Sequence, residues 1–238
     1  MEFTFSIYQK IPLATFAPQG GSPTRIIYFA AELGIVRIKI DTQSIICIII
    51  YIIFRKLFSQ YEKQGNVCMK IHTTIGLADV EKLKIYDTVE ISGVIFAGRD
   101  AALPKLLELL KSGSLENFGI DLEGGAVFHT AVSPAGIGPT SSNKLEIEES
   151  IAPLSEAGIR IHIGKGKLSR STEEKLWENG SIFVVTPPTS ALLTATVTET
   201  EIAAFSELGI EALYRLTVEN FPAIVAIANG KSIFRSIH

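Results

Sequence analysis

Three predicted strands of this chain each end in a short loop that carries cationic and hydroxyl side chains. They are Arg99 after the first strand, Thr140, Ser141 and Lys144 after the second, and Lys165 after the third; the carboxylate of Asp100 follows Arg99. If the strands are neighbours in a parallel sheet, their loops meet at the carboxyl edge, where open α/β sheets bind ligands. Arginine grips a carboxylate through two parallel hydrogen bonds, whereas lysine acts as a compact point charge. The pattern therefore predicts a pocket for a small dianion, most simply a dicarboxylate.

The loop after the second strand is the centre of this arrangement. It reads GIGPTSSNK over residues 136–144, between an apolar run at residues 125–132 and an acid-rich stretch at residues 145–151. A helix that starts at those acids turns its backbone N–H groups toward the loop, which favours anions there. Taken singly, the loop is equally typical of an ordinary turn with an N-cap, and each cation is typical of a solvated surface. Only their shared position at strand ends favours a binding site.

Composition argues against several classes of function. The chain has 238 residues, with 22 basic and 25 acidic side chains and a formal charge of -3. Because it lacks a basic stripe interleaved with aromatic residues, nucleic acid is not expected as a partner. Its two cysteines, Cys47 and Cys68, argue against a disulfide scaffold and predict a reducing, cytoplasmic location. Residues 69–238 contain no cysteine, so this part cannot hold an iron–sulfur cluster or a cysteine-based zinc site by itself.

Familiar catalytic motifs are absent from the sequence. It has no HExxH, no Ser–His–Asp order, no P-loop and no GxGxxG fingerprint. His129 lies within an apolar strand and His162 alternates with isoleucines, so both are expected to be core histidines rather than metal ligands. No metal site is predicted in this chain.

The first 68 residues differ in character from the rest. They include an apolar run at residues 45–54, about half the length that a transmembrane helix needs. Three interpretations remain open: a membrane-associating segment, an extra strand, or translated sequence upstream of the true start. We favour the third, with Met69 as the true start, and predict that residues 1–68 carry no function. A membrane association is therefore not expected.

From Met69 onward the chain alternates between strand and helix patterns, which predicts an α/β domain over residues 69–238. Predicted strands cover residues 87–96, 125–132, 159–163, 181–185 and 221–227, and predicted helices cover residues 101–110, 146–157 and a segment from residue 171. Asp100 is placed to cap the first helix, and Ser171 opens a capping-box pattern for the third. Asn229 and Gly230 predict a hairpin between the last strand and residues 231–234.

Several stretches resemble one family more specifically than these physical patterns do. They are ISGVIFAGRDAA (residues 91–102), GPTS (138–141), GKG (164–166), ALYRL (212–216) and FPAIV (221–225). In order and spacing they are similar to the β subunit of class I, iron–sulfur-dependent fumarate hydratases and L(+)-tartrate dehydratases. The similarity covers about residues 69–234 and matches the archaeal form, in which this domain is a separate chain.

The resemblance implies a fold, a partner and a reaction. The fold is a swivelling β/β/α domain of three layers, which closes over a [4Fe–4S] cluster held by three cysteines of the α subunit and not by this chain. The implied assembly is a dimer of heterodimers, and the reaction is the reversible hydration of fumarate to (S)-malate. The open iron of the cluster would act as a Lewis acid on the substrate.

The resemblance also implies roles for the residues singled out above. Thr140 matches the base that removes the C3 proton of malate, and Arg99 and Lys165 match residues that hold the carboxylates. Lys144 is expected to bind substrate, with Ser141 and Asp100 in secondary positions. The nearby positive charge would favour a deprotonated Thr140 and the negative charge of the transition state.

This sequence departs from the family pattern at three points. Lys144-Leu145-Glu146 stands where Arg-Met-Asp is more common, so the charge is kept but the two-pronged grip is lost. Leu103 replaces a histidine, and residues 186–190 replace a glycine- and alanine-rich loop. The departures keep two alternatives open: a β subunit of a tartrate dehydratase or substituted-malate lyase, and a non-catalytic, anion-binding interaction subunit.

Overall fold

The computed structural model describes residues 25–31, 34–40, 68–133, 136–137 and 144–235, with the backbone alone in 25–31, 34–40 and 144–147. The chain forms two compact units, Met1–Phe54 and Arg55–His238. In the first unit, strands β1 (Arg25–Ala31) and β2 (Gly34–Ile40) pair as an antiparallel hairpin. The apolar run at residues 45–54 lies outside the described residues, and the start at Met69 stays a prediction.

The second unit alternates strands and helices, which confirms the α/β class. Its strands are β3 (Met69–His72), β4 (Thr88–Gly98), β5 (Ala126–His129), β6 (Val132–Ser133), β7 (Gly136–Ile137), β8 (Ile161–Gly164), β9 (Ile182–Val185), β10 (Val197–Ala204), β11 (Leu213–Ala228) and β12 (Lys231–Ser232). Its helices are α1 (Leu77–Val80), α2 (Ala102–Lys111), α3 (Lys144–Glu156), α4 (Arg170–Glu178) and α5 (Ser190–Ala195), with 3-10 helices at Leu115–Phe118 and Ser206–Glu211.

Five strands of this unit close into a ring. β4, β5, β8 and β9 are parallel neighbours in that order, and β11 pairs antiparallel with β9 on one side and with β4 on the other. β10 adds to the first half of β11, and β3 adds to the first half of β4. Because the ring closes, its strands are paired along both edges, which protects them from pairing with other chains.

The ring separates an inner core from an outer one. On β5, Phe128 points inward and packs edge-on against Phe221 of β11, with 5.7 Å between ring centroids. Its neighbour Val127 points outward, toward Leu106 of α2 and Leu154 of α3. All five side chains are fully buried, and each contributes about 1.5–3 kcal/mol to stability. Helices, parallel strands and antiparallel strands thus form three layers, in agreement with the swivelling β/β/α fold that the resemblance implied.

The first long helix does not begin as the sequence predicts. Its N-cap position is Ala101 rather than Asp100, and Ala101 makes no side-chain capping bond. The carbonyl oxygen of Arg99 instead accepts hydrogen bonds from the N–H groups of Ala102 and Leu103, at 3.0 and 2.9 Å. A backbone acceptor at the end of β4 therefore satisfies two of the N–H groups at the start of this helix.

The predicted N-cap of α4 is wrong by two residues. The cap is Ser169 rather than Ser171, and its Oγ accepts a hydrogen bond from the N–H of Thr172 at 3.3 Å. Both serines satisfy the composition rule for an N-cap, so the local sequence does not discriminate between them.

β11 is longer than its sequence indicates. It starts at Leu213 instead of residue 221 and spans 16 residues. Asn220, at φ 52°, and Pro222 both normally interrupt strands. The register with β4 shifts between Val218 and Phe221, so a bulge accommodates Asn220, and pairing resumes at Phe221 and includes Pro222 opposite Glu90.

The predicted terminal hairpin is confirmed. Asn229 and Gly230 link β11 to β12 with φ values of 51° and 70°, the positive angles that a two-residue turn of this type requires. Asn229 also donates from Nδ2 to the carbonyl oxygen of Leu83 at 2.9 Å. The turn is thereby fastened to the segment that follows α1.

Gly93, in the middle of β4, is expected to be sensitive to substitution. It has φ 108°, and an added Cβ would lie 2.8 Å from the carbonyl oxygen of Thr73. We predict that Gly93→Ala lowers the free energy of unfolding by about 2–5 kcal/mol, through a disfavoured φ and a backbone clash. Urea unfolding followed by fluorescence of Trp177, the single tryptophan, measures the change.

Gly113 provides the matched control, because it has φ 66° but open space where its Cβ would lie. Gly113→Ala should cost only the conformational part, about 1–2 kcal/mol. Equal losses at the two glycines would show that the contact with Thr73 does not matter.

Candidate active site

The carboxyl ends of four parallel strands meet at one edge of the sheet. Gly98 at the end of β4 is in register with His129 at the end of β5, and Gly164 at the end of β8 is in register with Val185 of β9. This confirms that β4, β5 and β8 are neighbours, but the predicted second strand ends at His129, and the hairpin of β6 and β7 stands between it and the loop of Thr140. Arg99 and Lys165 follow strands two positions apart, which corresponds to about 10 Å. Their long side chains can reach the two ends of a small dicarboxylate from that separation.

Arg99 leaves the end of β4 and meets an acid from the far end of the chain. Its Nε donates to Oε1 of Glu211 at 2.8 Å, and its Nη2 donates to the same oxygen. Both side chains are half-buried, with 30% of Arg99 and 26% of Glu211 exposed. Sequence reasoning assigned no role to Glu211, because the two residues are 112 positions apart.

Lys165 lies between two glycines, and each position requires glycine for a different structural reason. A Cβ at Gly164 would come within 2.8 Å of the ring of Phe183, so only glycine fits beside β9. Gly166 has φ 79°, a left-handed conformation that glycine adopts without cost. Lys165 itself is exposed and, among the described residues, makes no hydrogen bond or ion pair. Its ammonium group is available to a ligand as a mobile point charge.

Thr140 and Ser141 lie outside the described residues, and Lys144 is described by its backbone alone, as the first residue of α3. The residue that precedes their loop is well fixed. Ile137 is 3% exposed, and its N–H donates to Oγ1 of Thr194 on α5 at 3.1 Å. The loop that carries Thr140 therefore runs from an anchored strand to the start of a helix. Sequence reasoning did not identify Thr194.

The start of α3 is tied to the start of α4 by one carboxylate. Oε2 of Glu148 accepts hydrogen bonds from the N–H of Ser169 and from Oγ1 of Thr172, both at 2.9 Å. Sequence reasoning placed Glu148 among acids that favour the start of their own helix, but it binds at the start of the neighbouring helix. Since Ser169 follows the Lys165 loop, Glu148 connects the two loops of the candidate site.

The two core histidines are buried in the layer between sheet and helices, as predicted. Their rings stack with 5.5 Å between centroids, and His129 Nε2 lies 3.3 Å from His162 Nδ1. His162 Nε2 lies 2.8 Å from Oγ of Ser155 on α3. Burial lowers the pKa of His129 from 6.5 to about 4. Burial, and secondly repulsion from His129, also lowers the pKa of His162 well below its usual value.

No group of three or more histidine, cysteine, aspartate or glutamate side chains is arranged for a metal ion in the part of the chain that the structure describes. The described helices include none that is long and apolar enough to cross a membrane.

Comparison with known proteins gives consistent matches. The family described as "Fumarase C-terminus" matches residues 53–237. A Methanocaldococcus jannaschii protein, provisionally named L(+)-tartrate dehydratase subunit beta, is 33% identical over 175 residues, which cover 67% of this chain and 88% of that protein. The Escherichia coli L(+)-tartrate dehydratase subunit beta is 30% identical over 171 residues, covering 66% and 82%. The anaerobic class I fumarate hydratase of Escherichia coli is 25% identical over 169 residues, covering 68% of this chain and 31% of that enzyme.

The buried histidines predict that stability falls in mild acid. The unfolded chain binds a proton at His129 near pH 6.5, but the folded chain does so only near pH 4, so stability is full above pH 6.5 and decreases as the pH falls toward 4. By pH 5 His129 alone should cost about 2 kcal/mol. Urea unfolding between pH 7.5 and pH 5 measures this loss.

An unchanged stability of the wild-type chain down to pH 5 would contradict the assignment of two neutral, buried rings.

Proposed function

Because the chain belongs to the fumarase C-terminus family of hydro-lyase β subunits, we propose that it acts in a hydro-lyase that interconverts fumarate and (S)-malate. The observation that carries the proposal is the common edge at which β4, β5 and β8 end, with Arg99 and Lys165 directly after two of them. The proposed substrate is a small dicarboxylate, which has one anionic group for each cation. The activity would require a partner chain.

The proposed partner is a cysteine-bearing α subunit. Two of the relatives are named subunit beta, which supports a second subunit for this chain as well. The proposed cofactor is a [4Fe–4S] cluster held by the α subunit, since the two cysteines of this chain are too few for three cysteine ligands. When bound, the cluster would supply a Lewis acid for the substrate hydroxyl and a carboxylate. A dimer of such heterodimers in the cytoplasm is part of the same proposal.

The residues of this chain would bind the substrate and move a proton. Arg99 would hold one carboxylate through the N–H groups that Glu211 leaves unused, and Lys165 would attract the other as a point charge. Thr140 would remove the C3 proton of malate and return it during hydration. A threonine hydroxyl is a weak base, so this role depends on cations close enough to lower the pKa of Thr140. Lys144 would contribute to that charge, with Ser141 and Asp100 beside the site.

L(+)-tartrate is the second candidate substrate. It is favoured by the two relatives named as tartrate dehydratase β subunits, which match this chain over most of their length. Tartrate carries one hydroxyl more than malate, so discrimination would depend on polar contacts that malate cannot make. Lys144, at a position where arginine is more common, would contribute to that discrimination between tartrate and malate.

The proposal predicts that activity requires both subunits and an intact cluster. The chain should be co-expressed anaerobically with a cysteine-bearing α subunit, and the purified complex assayed for hydration of fumarate. Turnover should appear only when both chains are present and should vanish on exposure to oxygen.

Each other result has a defined meaning. A stable complex with its cluster intact that ignores fumarate would redirect the assay to L(+)-tartrate and methyl-substituted diacids. Failure to form a complex would leave an anion-binding domain and overturn the enzymatic proposal.

Replacement of Thr140 tests the proton transfer. Thr140→Ala should lower kcat by about 100-fold or more, because positioned acid–base groups contribute at least that factor, while assembly stays intact. Steady-state kinetics and size-exclusion chromatography of the complex measure the two effects. Ser142→Ala, in the same loop but without an assigned role, is the matched control. Full turnover by the Thr140→Ala complex would refute the assignment of the base.

A further inference from the structure

We infer that Glu211 is a positioning residue for Arg99: it holds one edge of the guanidinium so that the other edge faces the substrate carboxylate. The inference rests on the proposed function, and it adds a residue that neither the sequence motifs nor the comparisons indicate. It is carried by the contact between Arg99 and Glu211, by the place of Glu211 in the fold, and by the donors that this contact leaves unused.

The contact occupies only one side of the guanidinium. Oε1 of Glu211 accepts from Nε and from Nη2 of Arg99, which together form the side-on edge of the group. A guanidinium has five N–H donors in one plane. The second donor on Nη2 and one of the two donors on Nη1 form the end-on edge, and they have no hydrogen-bond partner among the described residues. This edge matches a carboxylate through two parallel hydrogen bonds.

Glu211 reaches Arg99 because β11 closes the ring. The antiparallel register pairs Tyr214 with Ala97, so residues 211 and 212 come opposite residues 100 and 99 just beyond the paired region. Ala212 and Leu213 are buried at 1% and 0% exposure, which fixes the backbone directly after Glu211. The carboxylate is therefore presented by an anchored backbone rather than by a free loop.

A second ion pair fastens the same 3-10 helix. Nζ of Lys105 on α2 lies 2.7 Å from Oε1 of Glu207, four residues before Glu211. This pair is more exposed, with 40% of Lys105 and 61% of Glu207 accessible, so it is expected to be weak. Glu207 and Glu211 carry the same charge and lie on either side of a kink at Gly209 within this segment, but only Glu211 contacts the candidate substrate arginine. Glu207 is thus a matched control.

Orientation and net charge make opposite predictions for loss of Glu211. The carboxylate neutralises Arg99, so its removal makes the site more positive and, on charge alone, should strengthen binding of a dianion. If Glu211 orients the guanidinium, its removal should weaken productive binding despite the added positive charge, because a misplaced group loses much of its effect. The sign of the change therefore separates the two roles.

The first test is the kinetics of the anaerobic complex with Glu211→Leu, Glu211→Gln and Glu207→Leu. We expect Glu211→Leu to lower kcat/KM for malate about tenfold or more, and Glu211→Gln to lie between it and wild type, because glutamine keeps one neutral acceptor. Glu207→Leu should stay within about twofold of wild type. The thermal midpoints of the variant complexes distinguish positioning from a loss of folding. A lower KM in both Glu211 variants, or equal effects of Glu207→Leu and Glu211→Leu, would overturn the inference.

A double-variant cycle tests whether Glu211 acts through Arg99. With Arg99→Lys the side-on edge no longer exists, so adding Glu211→Leu to it should change kcat/KM little further. If the two substitutions instead lower kcat/KM by independent factors that multiply, Glu211 does not act through Arg99.

The second test does not depend on turnover. If the complex converts neither fumarate nor tartrate, the proposed function has failed, but the orientation of Arg99 can still be measured on the full chain. The Nε–H signal of Arg99, identified by its loss in Arg99→Lys, is followed by nitrogen-15 NMR during titration with succinate. Succinate should shift this signal in wild type and bind about tenfold more weakly to Glu211→Leu. Absence of a shift in wild type, or equal affinity in the two chains, would overturn the inference.

Discussion

The antiparallel pairing of β11 with β4 is the constraint on which the rest of the structure depends. These two strands are the longest of the described sheet, with 16 and 11 residues, and their pairing joins the end of the chain to the beginning of the second unit. It converts an open row of parallel strands into a closed ring with an apolar interior. The same pairing brings the 3-10 helix Ser206–Glu211 to the end of β4. The pairing that closes the ring therefore also places Glu211 beside Arg99.

The candidate site combines a rigid edge with tethered loops. The ends of β4, β5 and β8 are held in register by the sheet, whereas the cations and the candidate base stand on the segments that follow. Thr194 fixes the strand that precedes the Thr140 loop, and Glu148 ties the beginning of α3 to the beginning of α4. These contacts fix the described ends of the two loops, as the proposed binding of two carboxylates at a defined distance would require.

The surroundings of Arg99 and Lys165, the two described cations of the site, suit them to different roles. Arg99 is half-buried and held by an acid, so the direction of its remaining donors is defined although its charge is largely neutralised. Lys165 is exposed between two glycines, so it retains a full charge but no fixed direction. One group can specify orientation and the other can attract the ligand over a longer range. Behind them, the stacked rings of His129 and His162 remain neutral in the core. The positive charge at this edge of the sheet therefore comes from residues of the loops.

The sequence by itself determined the alternation of the main strands and helices, the α/β class, the family and the hairpin at Asn229-Gly230, because alternation, turn chemistry and local motifs are short-range signals. It also placed Arg99 and Lys165 directly after strands, which the sheet brings two positions apart. Only the tertiary structure decided the long β11, since pairing along two edges outweighs the local breakers Asn220 and Pro222. Likewise, the roles of Glu148 and Glu211 are decided by contacts across 21 and 112 positions. A carboxylate on a helix has the same local signal whether it caps that helix, a neighbouring helix or an arginine, so its partner is known only once the sheet has closed.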